Sequence, residues 1–198
     1  MNFKHKKHPT YDPGKWNDNI CIKKSHNCYA YALNIIDRKN VKLCCQYLSI
    51  SPNKDCRPIK PQLGIKSGTV APKYTRANLE HMLLADNPNV RKFGSNKACP
   101  LGFYRIMLFF TPDGNEYHFY RQDNDGKWSH KDGSQLATNK DAKFRIIRNP
   151  RTADRGKYTC YCGCFIVPVS AHMKYMSNAS PALEKIKAAV KRAHVVKK

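Results

Sequence analysis

Three side chains in this 198-residue chain are of the types that together activate a thiol. Cys28 stands in Asn27-Cys28-Tyr29-Ala30-Tyr31-Ala32-Leu33-Asn34. His118 stands in Tyr117-His118-Phe119-Tyr120-Arg121, and His130 follows in Trp128-Ser129-His130-Lys131. A thiolate attacks carbonyl carbon; an imidazole must take its proton, and a third group must fix that imidazole's tautomer. A cysteine in the first turn of a helix also gains from free N–H groups and the helix dipole, which lower its pKa. Cys28 is therefore the candidate nucleophile, His118 the base and then acid, and His130 the group that orients His118. Asp132 is a reserve orienter, and the Cys28 N–H is a candidate oxyanion donor. Each residue has a plainer reading: Cys28 as a small buried hydrophobe, His118 as a ring packed among aromatics, His130 as a surface ring.

The meeting of the two histidines rests on one hairpin. Residues 116–122 alternate so that His118, Tyr120 and Gln122 share a face. Asn124-Asp125-Gly126 suits a three-residue loop with Gly126 in the left-handed region. That loop pairs Asp123 with Lys127 and sets Tyr120 opposite His130, so His118 and His130 lie diagonally on one face. A loop of two or four residues would put them on opposite faces.

Other elements must hold these strands and the cysteine in place. Asn27 is a good N-cap for a helix over Cys28–Asp37 that buries Tyr31, Leu33, Ile35 and Ile36. Residues 51–74 hold four prolines and two glycines and read as a long irregular connection. A helix is expected over Thr75–Ala85, with Leu79, Met82 and Leu83 on one side. Strands are expected over Gly102–Phe110, Glu116–Gln122, Lys127–Lys131, Phe144–Ile147 and Tyr158–Val169, with a turn at Pro112-Asp113-Gly114-Asn115. Ser180-Pro181 reads as the start of a last helix carrying Leu183, Ile186, Val190 and Ala193 at helical spacing. A helix first and strands after predicts an α+β fold with an antiparallel sheet packed on the cysteine helix. Three regions follow: an extended basic arm over 1–20, a core domain over 21–170, and a basic helical tail over 171–198.

The formal net charge is +22 and the pI about 9.8, spread along the chain with no finger or RNP pattern. Such an excess favours an acidic macromolecular surface as partner. No apolar run approaches a membrane span, so no transmembrane segment is expected. Met1–Lys7 is basic but leads into no apolar stretch, so no secretory signal is expected, and a cytosol-like setting follows. Nine cysteines are many for that setting: they are reduced, or bind metal, or end in a more oxidising place. Cys160-x-Cys162-x-Cys164 puts three thiols on one side of a regular strand. Its spacing is a poor match to zinc knuckles, so metal binding ranks behind reduced core packing and a disulfide to Cys44, Cys45, Cys56 or Cys99.

The stretches Asn27–Asn34, Tyr117–Asp123, Asp125–Lys131, Asn149–Gly163 and Val167-Pro168 resemble the papain-like, NlpC/P60-related cysteine hydrolases, in particular small proteins of bacteria and large DNA viruses. The resemblance covers roughly residues 27–168. It implies a papain-like core, with the catalytic roles falling on Cys28, His118 and His130 and no cofactor or metal. Peptidoglycan-cleaving members usually show Asp-Cys followed by small residues; here Asn27 precedes Cys28 and Tyr29 follows, which argues against a cell-wall substrate. The resemblance also implies residence in a virion or host cytoplasm. There the alternative to hydrolysis is a non-catalytic minor capsid or virion structural protein, touching capsid proteins or nucleic acid through its basic arms.

Overall fold

A computed structural model describes residues 8–169 and 181–195. Among these residues six α-helices and six strands, with one 3-10 turn at Arg57–Ile59, follow in the order α1 (Pro13–Asn17), α2 (Ile20–Ser25), α3 (Cys28–Ala32), α4 (Arg38–Ile50), α5 (Arg76–Asp86), β1 (Arg91–Lys92), β2 (Phe103–Phe110), β3 (Tyr117–Gln122), β4 (Trp128–Lys131), β5 (Ala137–Thr138), β6 (Cys160–Pro168) and α6 (Pro181–Val195). The strands form one antiparallel sheet in the order β1-β6-β2-β3-β4-β5. The fold is α+β, with α3 and α5 against one face of the sheet, as the helix-then-strands order predicts.

β2 reads as a continuous apolar run because both of its faces are covered. Ile106 and Leu108 join Phe119, Tyr29, Leu79 and Leu83 under the helices. Met107 and Phe109 join Tyr120, Trp128, Ile147 and Tyr158 on the other face. A third cluster lies apart from the sheet, where α6 folds back on α4 through Leu183, Ile186 and Val190. Two disulfides, Cys21–Cys45 and Cys44–Cys56, staple α2, α4 and the segment after it into this helical lobe.

Several expectations need correction. Helix α3 stops five residues after it begins rather than running to Asp37. Asn34 takes the left-handed region (φ 55°), and the N–H groups of Asn34 and Ile35 close back on the Tyr31 and Ala30 carbonyls. That is the pattern by which a helix ends in an αL residue, which asparagine tolerates. Asp37 then caps α4, a helix the sequence reading did not foresee. Residues 8–20 are not an extended arm: α1 lies there, and Trp16 is fully buried against Tyr31 and His26. No strand forms over Phe144–Ile147. The Asp141 carboxylate accepts from the N–H groups of Lys143, Arg145 and Asp154, curling the segment, and leaves one bridge, Lys140 to Ile146.

The three cysteines of β6 do not share a face either. A register shift between Leu108 and Phe109 takes up an extra residue on β6, so Cys162 packs under the helices and Cys164 on the opposite face. All three are free; of the cysteines offered as their partners, Cys44 and Cys56 join each other, Cys45 joins Cys21, and Cys99 is free. Residues 1–7 of the arm, residue 170 of the core, and 171–180 and 196–198 of the tail, with Ser180 as its N-cap, lie outside the described residues.

Candidate functional site

The site is built from the β3–β4 hairpin upward. Gly126 turns at φ 80°, the Asp123 N–H donates to the Lys127 carbonyl, and Tyr120 stands opposite His130. This is the register expected from the three-residue loop. It brings the two imidazoles together, with His118 Nε2 2.8 Å from His130 Nδ1.

The direction of that hydrogen bond is set at its far end. His130 Nε2 lies 3.0 Å from the Lys140 carbonyl, which can only accept. The proton on neutral His130 is therefore on Nε2, and its Nδ1 is an acceptor. His118 must then donate from Nε2, which leaves its Nδ1 as a bare lone pair. That Nδ1 is buried and has no hydrogen-bond partner. Burial, with His130 and Lys157 adding to it, pushes the His118 pKa well below the ordinary value, and burial lowers His130 too. Both rings are neutral at neutral pH, so His118 is in its base form.

Two residues complete the surroundings of that lone pair. The Tyr158 ring stacks on His118 with centroids 4.7 Å apart, and its hydroxyl donates to Asp132 Oδ1 at 3.2 Å. Asp132 Oδ1 is 3.8 Å from His118 Nδ1, too long for a hydrogen bond. Asp132 thus faces the reactive edge of His118 rather than its anchored edge. His130 is the residue hydrogen-bonded to the anchored edge of His118, and Asp132 lies off the opposite edge.

Cys28 opens α3 behind Asn27. The Asn27 side chain accepts from the Ala30 N–H at 3.3 Å and donates to the Pro61 carbonyl at 2.7 Å. The Cys28 sulfur lies 3.9 Å from the Tyr117 carbonyl, the peptide that leads into His118. Among the described residues no hydrogen bond joins Cys28 to either imidazole. Burial pushes the thiol up to about 12, only partly opposed by the N–H groups of Phe119 and Tyr29. The resting pair is a neutral thiol and a neutral imidazole, not a thiolate and an imidazolium. The helix start expected to acidify Cys28 is present, but desolvation outweighs it.

A cleft of about 520 Å³ opens at this point, with Asn27, Cys28, Tyr117, Asp132 and Tyr158 among its lining residues. Lys131 holds two of its walls together. Its side chain is fully buried, and Nζ donates to the carbonyls of Lys23, His26 and Gly133 at 2.7, 2.8 and 2.7 Å. The first two lie on the chain entering α3, the third on the loop after β4. Burial lowers the Lys131 pKa to about 7. Arg121, equally buried, ties Asp123 to the Tyr31 carbonyl and hydroxyl, the Asn34 side chain and the Thr10 carbonyl. Asp123 in turn accepts from Ser129 at 2.5 Å.

The structure therefore joins His118 to His130 and sets Cys28 beside the same strand. The sequence reading gave no role to Lys131 or Tyr158. Lys131 had a signal: it alternates with Ser129 on the face that carries Arg121, so it had to point under α3. Tyr158 had none, because it lies forty positions after His118, beyond β4, β5 and the irregular stretch that follows them.

No family model and no solved structure matches the chain. Insoluble matrix shell protein 1 of Ruditapes philippinarum is 32% identical to it over 154 residues, which make up 77% of this chain and 86% of that protein. With that identity sustained over most of both sequences, the chain belongs to the family of insoluble matrix shell protein 1.

Proposed function

We propose that the cleft carries out thiol acyl transfer of the papain-like, NlpC/P60-like kind, on an amide or ester carbonyl. One observation carries this reading: the hydrogen-bond chain from the Lys140 carbonyl through His130 leaves a buried, unpartnered lone pair on His118 Nδ1, and its neighbours Asp132 and Tyr158 line the cleft that holds Cys28. The Cys28 proton passes to Nδ1 as sulfur bonds to the carbonyl carbon. The oxyanion faces the Cys28 N–H, an orphan donor of the first turn. The imidazolium is held by His130 on one edge and by the Asp132 carboxylate on the other. It returns the proton to the leaving nitrogen or oxygen as that bond breaks. Water then attacks the thioester, its proton going to Nδ1, and the thiol is released with that proton. Because the thiol starts neutral, attack and proton transfer are coupled rather than sequential.

The test is acyl capture. The protein is incubated with a series of activated esters, and Cys28 is examined by peptide mass spectrometry. A thioester on Cys28 that disappears in His118→Ala is expected. No acylation at Cys28, or acylation unchanged in His118→Ala, would remove the hydrolase reading.

A second reading has its own support: a non-catalytic structural protein that associates with acidic macromolecules in a matrix or particle. The family relative is named as an insoluble matrix protein, this chain carries +22, and its thiol rests neutral and buried. Two disulfides favour an oxidising setting for it. On this reading, Cys28→Ser leaves association with an anionic polymer unchanged, and that association weakens steeply with salt.

A further inference from the structure

The positive charge is not evenly neutralised over the fold. From β1 to β6 (residues 91–168) there are 14 Lys and Arg against seven Asp and Glu. Five of those seven carboxylates pair with a cation: Asp123, Asp125, Asp141, Asp154 and Glu116. The disulfide-stapled lobe, residues 20–60 with α6, has 12 Lys and Arg against three acids. Its ion pairs are Lys60–Asp55 and Lys187–Glu184. Arg38, Lys39 and Lys42 on α4 and Lys185, Lys191 and Arg192 on α6 are exposed and have no ion-pair partner among the described residues. α6 packs on α4 through Leu183, Ile186 and Val190, and the Cys44–Cys56 disulfide ties α4 to the segment after it, so these charges stand on packed helices rather than on a loose tail.

We propose that the α4–α6 lobe is the docking surface for an acidic polypeptide segment. The inference rests on the second reading above, that the protein associates with acidic macromolecules, and it is independent of any chemistry at Cys28. Unpaired cations held on packed helices attract carboxylate side chains without having to break existing ion pairs or order a mobile tail. Polypeptide is favoured over nucleic acid on two grounds. The exposed large apolar residues of the lobe are Ile20 and Ile50, so no exposed aromatic ring is offered for base stacking. The disulfides lie within the lobe itself, and such bridges persist where nucleic acid is scarce. The lobe also reaches the cleft: Asp55, Arg57 and Lys60 line it.

The experiment measures binding of the full chain to poly-aspartate at several salt concentrations, with two triple variants that change net charge equally. Lys39→Glu with Lys42→Glu and Lys191→Glu alters the lobe. Lys97→Glu with Lys140→Glu and Arg148→Glu alters exposed positions of the sheet half. The lobe variant should bind at least about tenfold more weakly than the wild type, and the control variant within about threefold of it. Equal weakening by both variants would overturn the lobe as the surface while leaving the association itself intact. Failure of the wild type to bind at low salt would overturn both. Tighter binding to duplex DNA or heparin than to poly-aspartate of the same charge would overturn the polypeptide assignment. Circular dichroism of both variants confirms that the comparison is between folded proteins.

Discussion

Acid should destabilise this protein through His26. Its ring is fully buried at the junction of α2 and α3. Nε2 accepts the Asp37 N–H at 2.9 Å, so Nδ1 carries the proton and faces Ser25 Oγ at 2.7 Å. Protonating Nε2 sets a donor against the Asp37 N–H, at the residue that caps α4, and buries a charge. Burial accordingly pushes the pKa from 6.5 down to about 4. The folded value lies below the unfolded one, so the unfolded chain holds more protons between those limits. The stability from the neutral ring is complete above pH 6.5 and is lost as pH falls toward 4. The gap corresponds to about 3 kcal/mol, of which about 2 is gone by pH 5. His118 and His130 act in the same direction, so a variant is needed to isolate His26. Gln can accept the Asp37 N–H but does not titrate. Urea unfolding at pH 7, 6, 5 and 4 should show His26→Gln losing about 3 kcal/mol less than the wild type across the range, whatever its stability at pH 7. Parallel loss in the two proteins would mean that His26 is protonated in the fold at no cost, and the account of its burial would be wrong.

Arg121→Met should cost about 3–5 kcal/mol, because it leaves the Asp123 carboxylate buried with Ser129 as its remaining side-chain partner, and thermal unfolding would register it. The Asp123 pKa is already raised by burial, so the deficit should shrink below pH 4, where the carboxyl is protonated in both states. Gly114→Ala should destabilise the β2–β3 turn by at least about 1 kcal/mol, since φ is 68° and a Cβ would stand 2.8 Å from the Tyr74 carbonyl; denaturant unfolding reads it, and a neutral result would mean the turn has another conformation open to it. Replacing Cys44 and Cys56 together by Ser opens a short loop and should cost about 3 kcal/mol in urea unfolding. A small maleimide at neutral pH should modify the half-buried Cys99 and Cys160 before Cys28, whose thiol is buried with a pKa of about 12; mass spectrometry of early time points decides the order.

The sequence by itself determined the parts of this protein whose physics is local. Apolar patterning, the Asn27 cap and the Asn124-Asp125-Gly126 loop were enough to set β2, β3, β4, β6, the start of α3, α5 to within a residue at each end and the register that brings His118 to His130. They act within a few residues of themselves, so reading them needs no knowledge of what lies across the fold. Other features were decided only by the tertiary structure. The end of α3 is held by Arg121, ninety residues away, bonding to Tyr31 and Asn34. The strand expected at Phe144 is displaced by one carboxylate collecting three N–H groups. The extra residue in β6 is visible only against its partner β2, and it separates Cys162 from Cys164. Cys28 shows the difference most plainly. Its place at a helix start predicts an acidic thiol, and that local term is present, but the depth at which α3 packs on β3 raises the pKa instead. Sequence spacing specifies which groups sit beside one another along an element; desolvation depends on everything that covers them, and only the assembled fold supplies that.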